Sequence, residues 1–317
     1  MSFLWGSTWS PKGKHCYVTG GSSGLGLALS ILLAQRGAHV SIVARDQDKL
    51  DTALQAIEAE RVSPDQIFQA ASHSLNTGEG ARAALKDICT RHGGLSPDAV
   101  FMCAGSWAPR FWVESTEEQL RQGMDGGYWV QAWTAWAASQ QMVRQERKGK
   151  LVFVSSTLGY MTFVGWSGYA PAKHALRGLA DTLRSELLLY DIDVHLFSPP
   201  TMYTPGYDEE NKLKPAITLK IEEGDPGLTP GQAALGLLRG VEKGQAHIAA
   251  DLITNLFRAS TKGSAPGNNP LIDWALNTFA QVGVPIWRWG TEAKVKAHKE
   301  EHKKYLKDRG FFDGPPL

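Results

Sequence analysis

Short apolar runs alternate with amphipathic stretches between about residue 14 and residue 200. Six such runs predict strands: HCYVTGG (15–21), HVSIVAR (39–45), QIFQAA (66–71), AVFMCAG (99–105), KLVFVSS (150–156) and DVHLFSPP (193–200). Between them, stretches such as LGLALSILLAQRG and DQDKLDTALQAIEAER have the apolar spacing of helices. Because strands that alternate with helices form right-handed βαβ units, the pattern predicts a doubly wound, Rossmann-type α/β fold. Its parallel sheet is covered by helices on both faces.

The alternation ends after about residue 200. Residues 204–228 are rich in proline, glycine and charge, which predicts a mobile, lid-like loop with a short helix over the C-terminal edge of the sheet. A helix follows, with Thr229 as its N-cap and a proline in its first turn. We therefore expect a Rossmann-type domain over residues 1–245, with its core at about 14–205, and a helical, amphipathic and membrane-associating C-terminal extension over 246–317.

Composition excludes several classes of protein. The 33 basic and 32 acidic side chains give a net charge of +1, so no overall field favours nucleic acid as a partner. The three cysteines form no CxxC pair, which predicts neither a disulfide framework nor a metal site. The N-terminus lacks the long apolar run of a signal peptide or a membrane span.

The segment TGGSSGLG joins the first predicted strand to the first predicted helix. Glycine lets the backbone approach a pyrophosphate closely, and the helix that follows offers free N–H groups to it. Serine hydroxyls in the same loop add donors for phosphate. The segment therefore predicts a dinucleotide site whose contacts are Gly20, Ser22, Ser23, Gly24 and Gly26.

Arg45 ends the second predicted strand, and Lys49 follows one helical turn later. An acidic residue usually stands at this place in chains that bind NAD, where it contacts the ribose hydroxyls. A guanidinium instead suits the 2′-phosphate of NADPH, so we predict NADPH as the cofactor. The alternative is that both residues are solvated surface charges, since Asp46 and Asp48 are adjacent to them.

Tyr169 is followed four residues later by Lys173, which places both on one face of a helix that begins near Pro171. Ser156 lies thirteen residues before Tyr169, at the end of a predicted strand, where parallel sheets bind their ligands. We predict that Lys173 lowers the pKa of Tyr169 and that the tyrosine donates a proton to a carbonyl oxygen held by Ser156. Ser155 is the alternative serine.

These motifs together resemble the short-chain dehydrogenase/reductase family over residues 14–205. The resemblance implies the catalytic residues Ser156, Tyr169 and Lys173, the last two of which would also contact the cofactor. It also implies cofactor contacts at Leu75, after the third strand, and at Pro199 and Thr201 in SPPTMYTPG.

A narrower resemblance rests on GGSSGLG, ARDQDKL, FMCAG, YAPAKHALRGLADTLRSEL and ITNLFRASTKGSAPGNNP. These segments are similar to those of the fungal 3-ketodihydrosphingosine reductases, which reduce the 3-keto group of a sphingoid base with NADPH at the endoplasmic reticulum. The resemblance implies a lipid substrate and an endoplasmic reticulum membrane location, with the catalytic domain facing the cytosol. A reductase of another lipid carbonyl, such as a steroid or retinoid, and a non-catalytic NADPH-binding protein are the alternatives.

Three positions depart from the pattern of the family. Cys103 replaces an asparagine of the NNAG motif, and Gly127 stands where many members have a fourth catalytic asparagine. Ser74 stands where an acidic residue usually contacts adenine. The departures raise the question of which group completes the proton relay behind Lys173.

Two tryptophan-rich segments indicate surfaces for partners. Residues 270–290 are apolar but interrupted by polar residues, which favours an interfacial helix or a re-entrant hairpin at a membrane over a membrane span; a core helix is the alternative. Residues 247–260 have a similar amphipathic pattern. Trp129, Trp133 and Trp136 form one helix stripe, which belongs either to the core or to the interface of a homodimer or homotetramer.

Overall fold

The computed structural model describes residues 9–106, 108–261, 263 and 265–310. In this part of the chain, seven strands form one parallel sheet in the order β3-β2-β1-β4-β5-β6-β7. The strands are β1 (His15–Thr19), β2 (His39–Ala44), β3 (Phe68–Ser72), β4 (Ala99–Met102), β5 (Gly149–Val154), β6 (Ile192–Ser198) and β7 (His247–Ala249). All six predicted strands are confirmed, and β7 is the one that the sequence pattern did not reveal.

Helices cover both faces of the sheet, as predicted. They are α1 (Gly24–Gln35), α2 (Gln47–Glu58), α3 (Gly78–Thr90), α4 (Glu117–Met124), α5 (Val130–Arg144), α6 (Ala170–Glu186), α7 (Pro205–Asn211), α8 (Ala216–Glu222), α9 (Pro230–Glu242), α10 (Leu252–Ser260), α11 (Pro270–Ala297) and α12 (Lys299–Asp308). One apolar core packs α1, α2 and α9 against the sheet, and a second packs α3, α5 and α6 against the opposite face. The buried strands read as continuous apolar runs because both of their faces are covered.

The region after β6 contains more regular structure than its composition indicates. The predicted loop at 204–228 contains two short helices, α7 and α8. The helix start at Thr229 is confirmed, with a capping box in which Thr229 and Gln232 satisfy each other's backbone N–H groups. β7 lies beyond the boundary predicted at residue 245 and still pairs with β6, so the sheet extends into the predicted extension. The pattern at 247–260 therefore combines a strand with the helix α10.

The C-terminal helices are fastened to the domain by a buried ion pair. Arg258 on α10 and Asp273 on α11 form a salt bridge while exposing only 1% and 2% of their side chains. Trp287 also packs edge-on against Phe257, with 5.5 Å between their ring centroids. On the outer side of α11, apolar side chains including Trp289 are exposed. No helix of the described residues is both long and apolar enough to cross a membrane.

The tryptophan stripe on α5 is divided between core and solvent. Trp133 packs against the core, whereas Trp129 and Trp136 are partly exposed. The rings of Trp129 and Trp133 stack with their centroids 4.8 Å apart, and Trp136 packs edge-on against Trp133 at 5.9 Å. Arg82 of α3 lies 4.1 Å from the ring centroid of Trp136. A homo-oligomer interface at this stripe stays a prediction; Trp107, which belongs to the same tryptophan-rich region, lies outside the described residues.

Candidate active site

A cleft of about 460 Å³ lies at the carboxyl ends of the strands, beside the point between β1 and β4 where the strand order reverses. Its volume falls in the range of small-molecule sites. The glycine loop forms one wall of the cleft, and residues 103–106 form the floor. The end of β5 and the start of α6 supply reactive side chains, while α7 and α8 close the remaining side. Residues of the segment 204–228 thus line the cleft at the carboxyl ends of the strands, and its role as a lid stays a prediction.

The structure brings Ser156, Tyr169 and Lys173 together in this cleft. Tyr169 precedes the first residue of α6, and its hydroxyl forms a hydrogen bond with the Ser156 side chain. Lys173 lies one turn further along the helix, with its Nζ 5.2 Å from the centroid of the Tyr169 ring. Ser155 is held differently, because its Oγ donates to the carbonyl of Lys173 at 3.1 Å. The geometry therefore favours Ser156 over Ser155 as the serine that contacts substrate.

The pKa of Tyr169 shifts in the direction opposite to the prediction. Burial raises the pKa of the phenol above its ordinary value, the nearby Glu210 carboxylate adds to the rise, and the hydrogen bond from Ser156 opposes it. Burial also lowers the pKa of Lys173 to about 8, and its Nζ donates to the carbonyl of Val154 at 3.0 Å rather than to the phenol. Tyr169 therefore carries its proton at neutral pH, which is the form required of a proton donor.

The glycine loop has the close backbone approach that a dinucleotide site requires. A Cβ on Gly26 would lie 2.2 Å from the carbonyl oxygen of Gly20, and one on Gly20 would lie 2.9 Å from the backbone of Ala104. Gly20 and Gly24 also adopt positive φ angles of 67° and 51°. Ser23 is the N-cap of α1, and its side chain makes no capping hydrogen bond. These residues fit a pyrophosphate, which would accept from the first N–H groups of α1.

Four of the predicted cofactor contacts do not line the cleft: Ser22, Arg45, Lys49 and Leu75. Arg45 is exposed after β2, and Lys49 is 3.5 Å from the carboxylate of Asp46, as expected for a surface charge. Ser22 lies in the glycine loop but does not line the cleft. Leu75 is buried in the core, so only its backbone could contact a nucleotide. As contacts to a cofactor, these assignments stay predictions.

Pro199 and Thr201 line the cleft after the end of β6. Their carbonyl groups are used internally: that of Pro199 accepts from the N–H of Thr157 at 3.0 Å, and that of Thr201 accepts from the N–H of Leu228 at 2.9 Å. These two bonds fix the backbone that would face a nicotinamide ring.

Gly127 has no room for a side chain. Residues Asp125–Trp129 form a π-helical turn between α4 and α5, and a Cβ on Gly127 would lie 2.6 Å from the Cβ of Ala172. π-turns of this kind are frequent at functional sites. Because α6 packs this closely, the asparagine of other family members could not occupy the position without displacing α6.

Gln131, one turn after Gly127, is a residue that the sequence analysis missed. It lines the cleft and is 1% exposed. Its amide accepts from the N–H of Val154 at 2.9 Å and donates to the carbonyl of Val154 at 2.8 Å. That carbonyl also accepts from Lys173. Because β4 ends opposite Phe153, Gln131 satisfies backbone groups that β4 leaves unpaired and fixes the oxygen that positions Lys173.

We expect Gln131→Leu to lower kcat about tenfold, because a small displacement of a catalytic group has effects of this order. The alkaline limb of the pH–rate profile should move to lower pH, because an apolar neighbour disfavours the ammonium of Lys173. Steady-state kinetics between pH 6 and about pH 10 measure both effects. Gln140→Leu, on the same helix but away from the cleft, is the matched control. An unchanged pH profile in Gln131→Leu would contradict this role.

A charged cluster within residues 210–222 lines the same cleft as Tyr169, and only the charge of the segment indicated it in the sequence. The Nζ of Lys214 lies 2.9 Å from a carboxylate oxygen of Glu210 and 2.7 Å from one of Glu222. The indole N–H of Trp166 donates to Glu222 at 3.1 Å, and the ring of Trp166 lies 5.4 Å from that of Tyr169. Two carboxylates share one ammonium, so the lid presents net negative charge to the cleft. Burial raises the pKa of Glu210, although Lys214 opposes the rise.

This fold, glycine loop and serine–tyrosine–lysine arrangement define a short-chain dehydrogenase. The chain matches the model of the short chain dehydrogenase family over residues 14–214 and belongs to that family. The predicted membership of the short-chain dehydrogenase/reductase family is thereby confirmed. The protein is an oxidoreductase that acts on a keto group and uses a nicotinamide cofactor.

Relatives with similar sequences narrow the comparison. A 3-ketodihydrosphingosine reductase of Cryptococcus neoformans is 44% identical over 306 residues, which cover 96% of this chain and 91% of that relative. A 3-ketodihydrosphingosine reductase of Aspergillus fumigatus is 35% identical, with coverage of 83% and 78%. A 3-dehydrosphinganine reductase of Danio rerio is 31% identical, with coverage of 81% and 78%.

A solved structure supports the fold. The short-chain type dehydrogenase/reductase from Mycobacterium ulcerans superposes with a TM-score of 0.66 over 76% of this chain and 90% of that one. At 22% sequence identity, this similarity concerns the fold alone.

Proposed function

We propose that the protein reduces the 3-keto group of 3-ketodihydrosphingosine to the alcohol, with NADPH as the reductant. The observation that carries the proposal is the meeting of Ser156, Tyr169 and Lys173 in a cleft bounded by a dinucleotide-binding loop. The relatives that match along most of the chain are named for this reaction. A non-catalytic binding protein would not require the three reactive side chains to converge.

The reaction uses this chain's own groups to manage charge on the ketone oxygen. The bound nicotinamide cofactor supplies the hydride. Ser156 donates a hydrogen bond to the ketone oxygen and stabilises the negative charge that develops there. Tyr169 transfers its phenolic proton to that oxygen, which completes the alcohol. Lys173, as an ammonium, stabilises the phenolate that the transfer leaves behind. Proton uptake from solvent then restores the phenol.

The preference for NADPH is proposed from the cation at Arg45, which follows β2 without an acidic residue in the position that contacts ribose hydroxyls in NAD-binding chains. We expect Arg45→Ala to raise KM for NADPH by about 10- to 100-fold, since charge-assisted hydrogen bonds to phosphate have this strength. KM for NADH should stay within twofold and serves as the internal control. Equal effects on both cofactors would contradict a role in binding the 2′-phosphate.

The charge of the lid favours a sphingoid base over a steroid or retinoid ketone. A sphingoid base carries an amino group next to the ketone, whereas the other lipids are uncharged in this region. Glu210 and Glu222 offer carboxylates in the cleft that Tyr169 also lines, and the charge of Glu210 helps to raise the pKa of Tyr169. We propose that this carboxylate binds the substrate ammonium.

We expect Glu210→Gln to raise KM for the amino ketone about tenfold, because the change removes charge and keeps shape. KM for an otherwise identical ketone that lacks the amino group should not change. Glu209→Gln is the matched control, since Glu209 is exposed and pairs with Lys212 at 2.5 Å. The same loss with both ketones would contradict ammonium binding.

The proposed activity is tested by mixing purified protein with 3-ketodihydrosphingosine in detergent micelles and following NADPH absorbance. A panel that includes steroid and retinoid carbonyls separates the substrate classes. Absence of turnover with every ketone would refute the reductase function, and preference for an uncharged lipid would refute the sphingoid assignment.

The cellular setting forms part of the same proposal. Exposed apolar side chains along α11, such as Leu271, Trp274, Phe279 and Trp289, support association of this helix with a membrane surface. We propose the endoplasmic reticulum membrane as the site, with the catalytic domain on the cytosolic side.

We also propose a homodimer or homotetramer whose interface uses the exposed part of the tryptophan stripe. Light scattering in detergent tests this oligomeric state.

A further inference from the structure

A second cavity, of about 640 Å³, lies between residues 160–164 and the helices α10 and α11. Its walls include Phe163, Phe257, Val284 and Trp287. Its polar residues include Arg288 and other side chains in the C-terminal part of α11. Arg288 itself is exposed. The volume falls in the range of ligand-binding cavities, and the inner walls suit an apolar group.

This cavity adjoins the catalytic cleft. Met161 and Phe163 line both spaces, so the two are separated by the side chains of a single short segment. The segment connects Ser156 to Tyr169 along the chain and therefore passes beside the reacting groups. A ligand with its polar end at Tyr169 has a short path over Met161 into the second cavity.

We propose that this cavity, formed by residues 160–164, α10 and α11, binds the hydrocarbon chain of the substrate while its amino ketone lies at Tyr169. The inference rests on the proposed function, because it takes the substrate to be a long-chain lipid. Each methylene group removed from water stabilises the bound state, and the lining of the second cavity is more predominantly apolar than that of the catalytic cleft, which charged lid residues border.

α11 has the geometry that this assignment requires. Val284 and Trp287 line the cavity, while Val282, Ile286 and Trp289 on the same helix are exposed. One helix thus forms a wall of the tail site and also presents apolar side chains outward. A neighbouring cavity lies between residues 111–113 and the same 162–164 segment, and His302 of α12 contributes to its lining. Among the residues that the structure describes, it shares Phe163 alone with the catalytic cleft.

The first test compares two chain lengths in three proteins. With the wild type, kcat/KM should be higher for the long-chain amino ketone than for an analogue with the same head group and a short alkyl chain. Val284→Trp fills the proposed site and should lower kcat/KM for the long-chain ketone at least tenfold, with less than a twofold change for the short one. Val113→Trp, in the neighbouring cavity, should change neither. Equal losses for both chain lengths in Val284→Trp, or a chain-length effect only in Val113→Trp, would overturn the proposal.

A second test needs no substitution and so does not depend on the folding of a variant. A substrate analogue with a photoreactive diazirine at the end of its alkyl chain is irradiated with the wild-type protein and NADP⁺, and the labelled peptide is identified by mass spectrometry. Labelling within residues 257–261 or 284–296 supports the proposal, and labelling at 111–113 or confined to the lid overturns it. Failure of the proposed function is distinct, because the wild type would then turn over neither ketone in the first test.

Discussion

Tyr169→Phe should reduce kcat by about three orders of magnitude, within the range that general acid catalysis contributes. The change removes the hydroxyl group that carries the proton for the ketone oxygen. The partly buried ring and its packing against Trp166 remain, so the fold and the cleft should be preserved. Cofactor affinity, measured by fluorescence titration with NADPH, should therefore change less than twofold.

Tyr128→Phe is the control for this experiment, because Tyr128 packs beside Trp129 outside the cleft. It should retain the activity of the wild type. A Tyr169→Phe protein that binds NADPH and still turns over at more than a tenth of the normal rate would contradict the assignment of Tyr169 as proton donor. Loss of both binding and turnover would instead indicate damage to the fold, which thermal unfolding would reveal.

Asp273→Ala should lower the free energy of unfolding by about 3–5 kcal/mol, the loss expected when one member of a buried ion pair is removed. Its partner Arg258 would remain buried without a counter-charge. The carboxylate also accepts from the backbone N–H of Asn268 at 3.0 Å, and that bond would be lost as well. Since Asn268 donates to the carbonyl of His247 in β7, the change should loosen the connection between the sheet and α11.

Urea unfolding followed by circular dichroism measures this loss. Glu117→Ala is the control, because its pair with Arg121 is exposed and should contribute little. The double variant Arg258→Met with Asp273→Leu should recover much of the stability, since an apolar pair of similar volume leaves no buried charge. If Asp273→Ala unfolds at the same urea concentration as the wild type, the ion pair does not hold α11 in place.

Much of the fold and part of the site could be predicted from local patterns. Six strands were predicted because a strand buried on both faces is a continuous apolar run, which the sequence displays directly. The glycine loop and the spacing of Tyr169 and Lys173 were equally accessible, since both depend on residues close together in the chain. β7 was missed because three residues are too few to show a period before the helical pattern of α10.

The sequence by itself determined the family and the class of reaction, and it predicted the three reacting residues, because those depend on residue type and on short spacings. The tertiary structure decided the charges around them. It brought Glu210 into the cleft that Tyr169 lines, partly buried Tyr169 and fully buried Lys173, and the loss of contact with water reversed the expected pKa shift of the phenol. It also placed Gln131 against the end of β5, 23 positions away in the chain. Burial and contacts between distant segments set these properties, and neither can be read from a linear pattern.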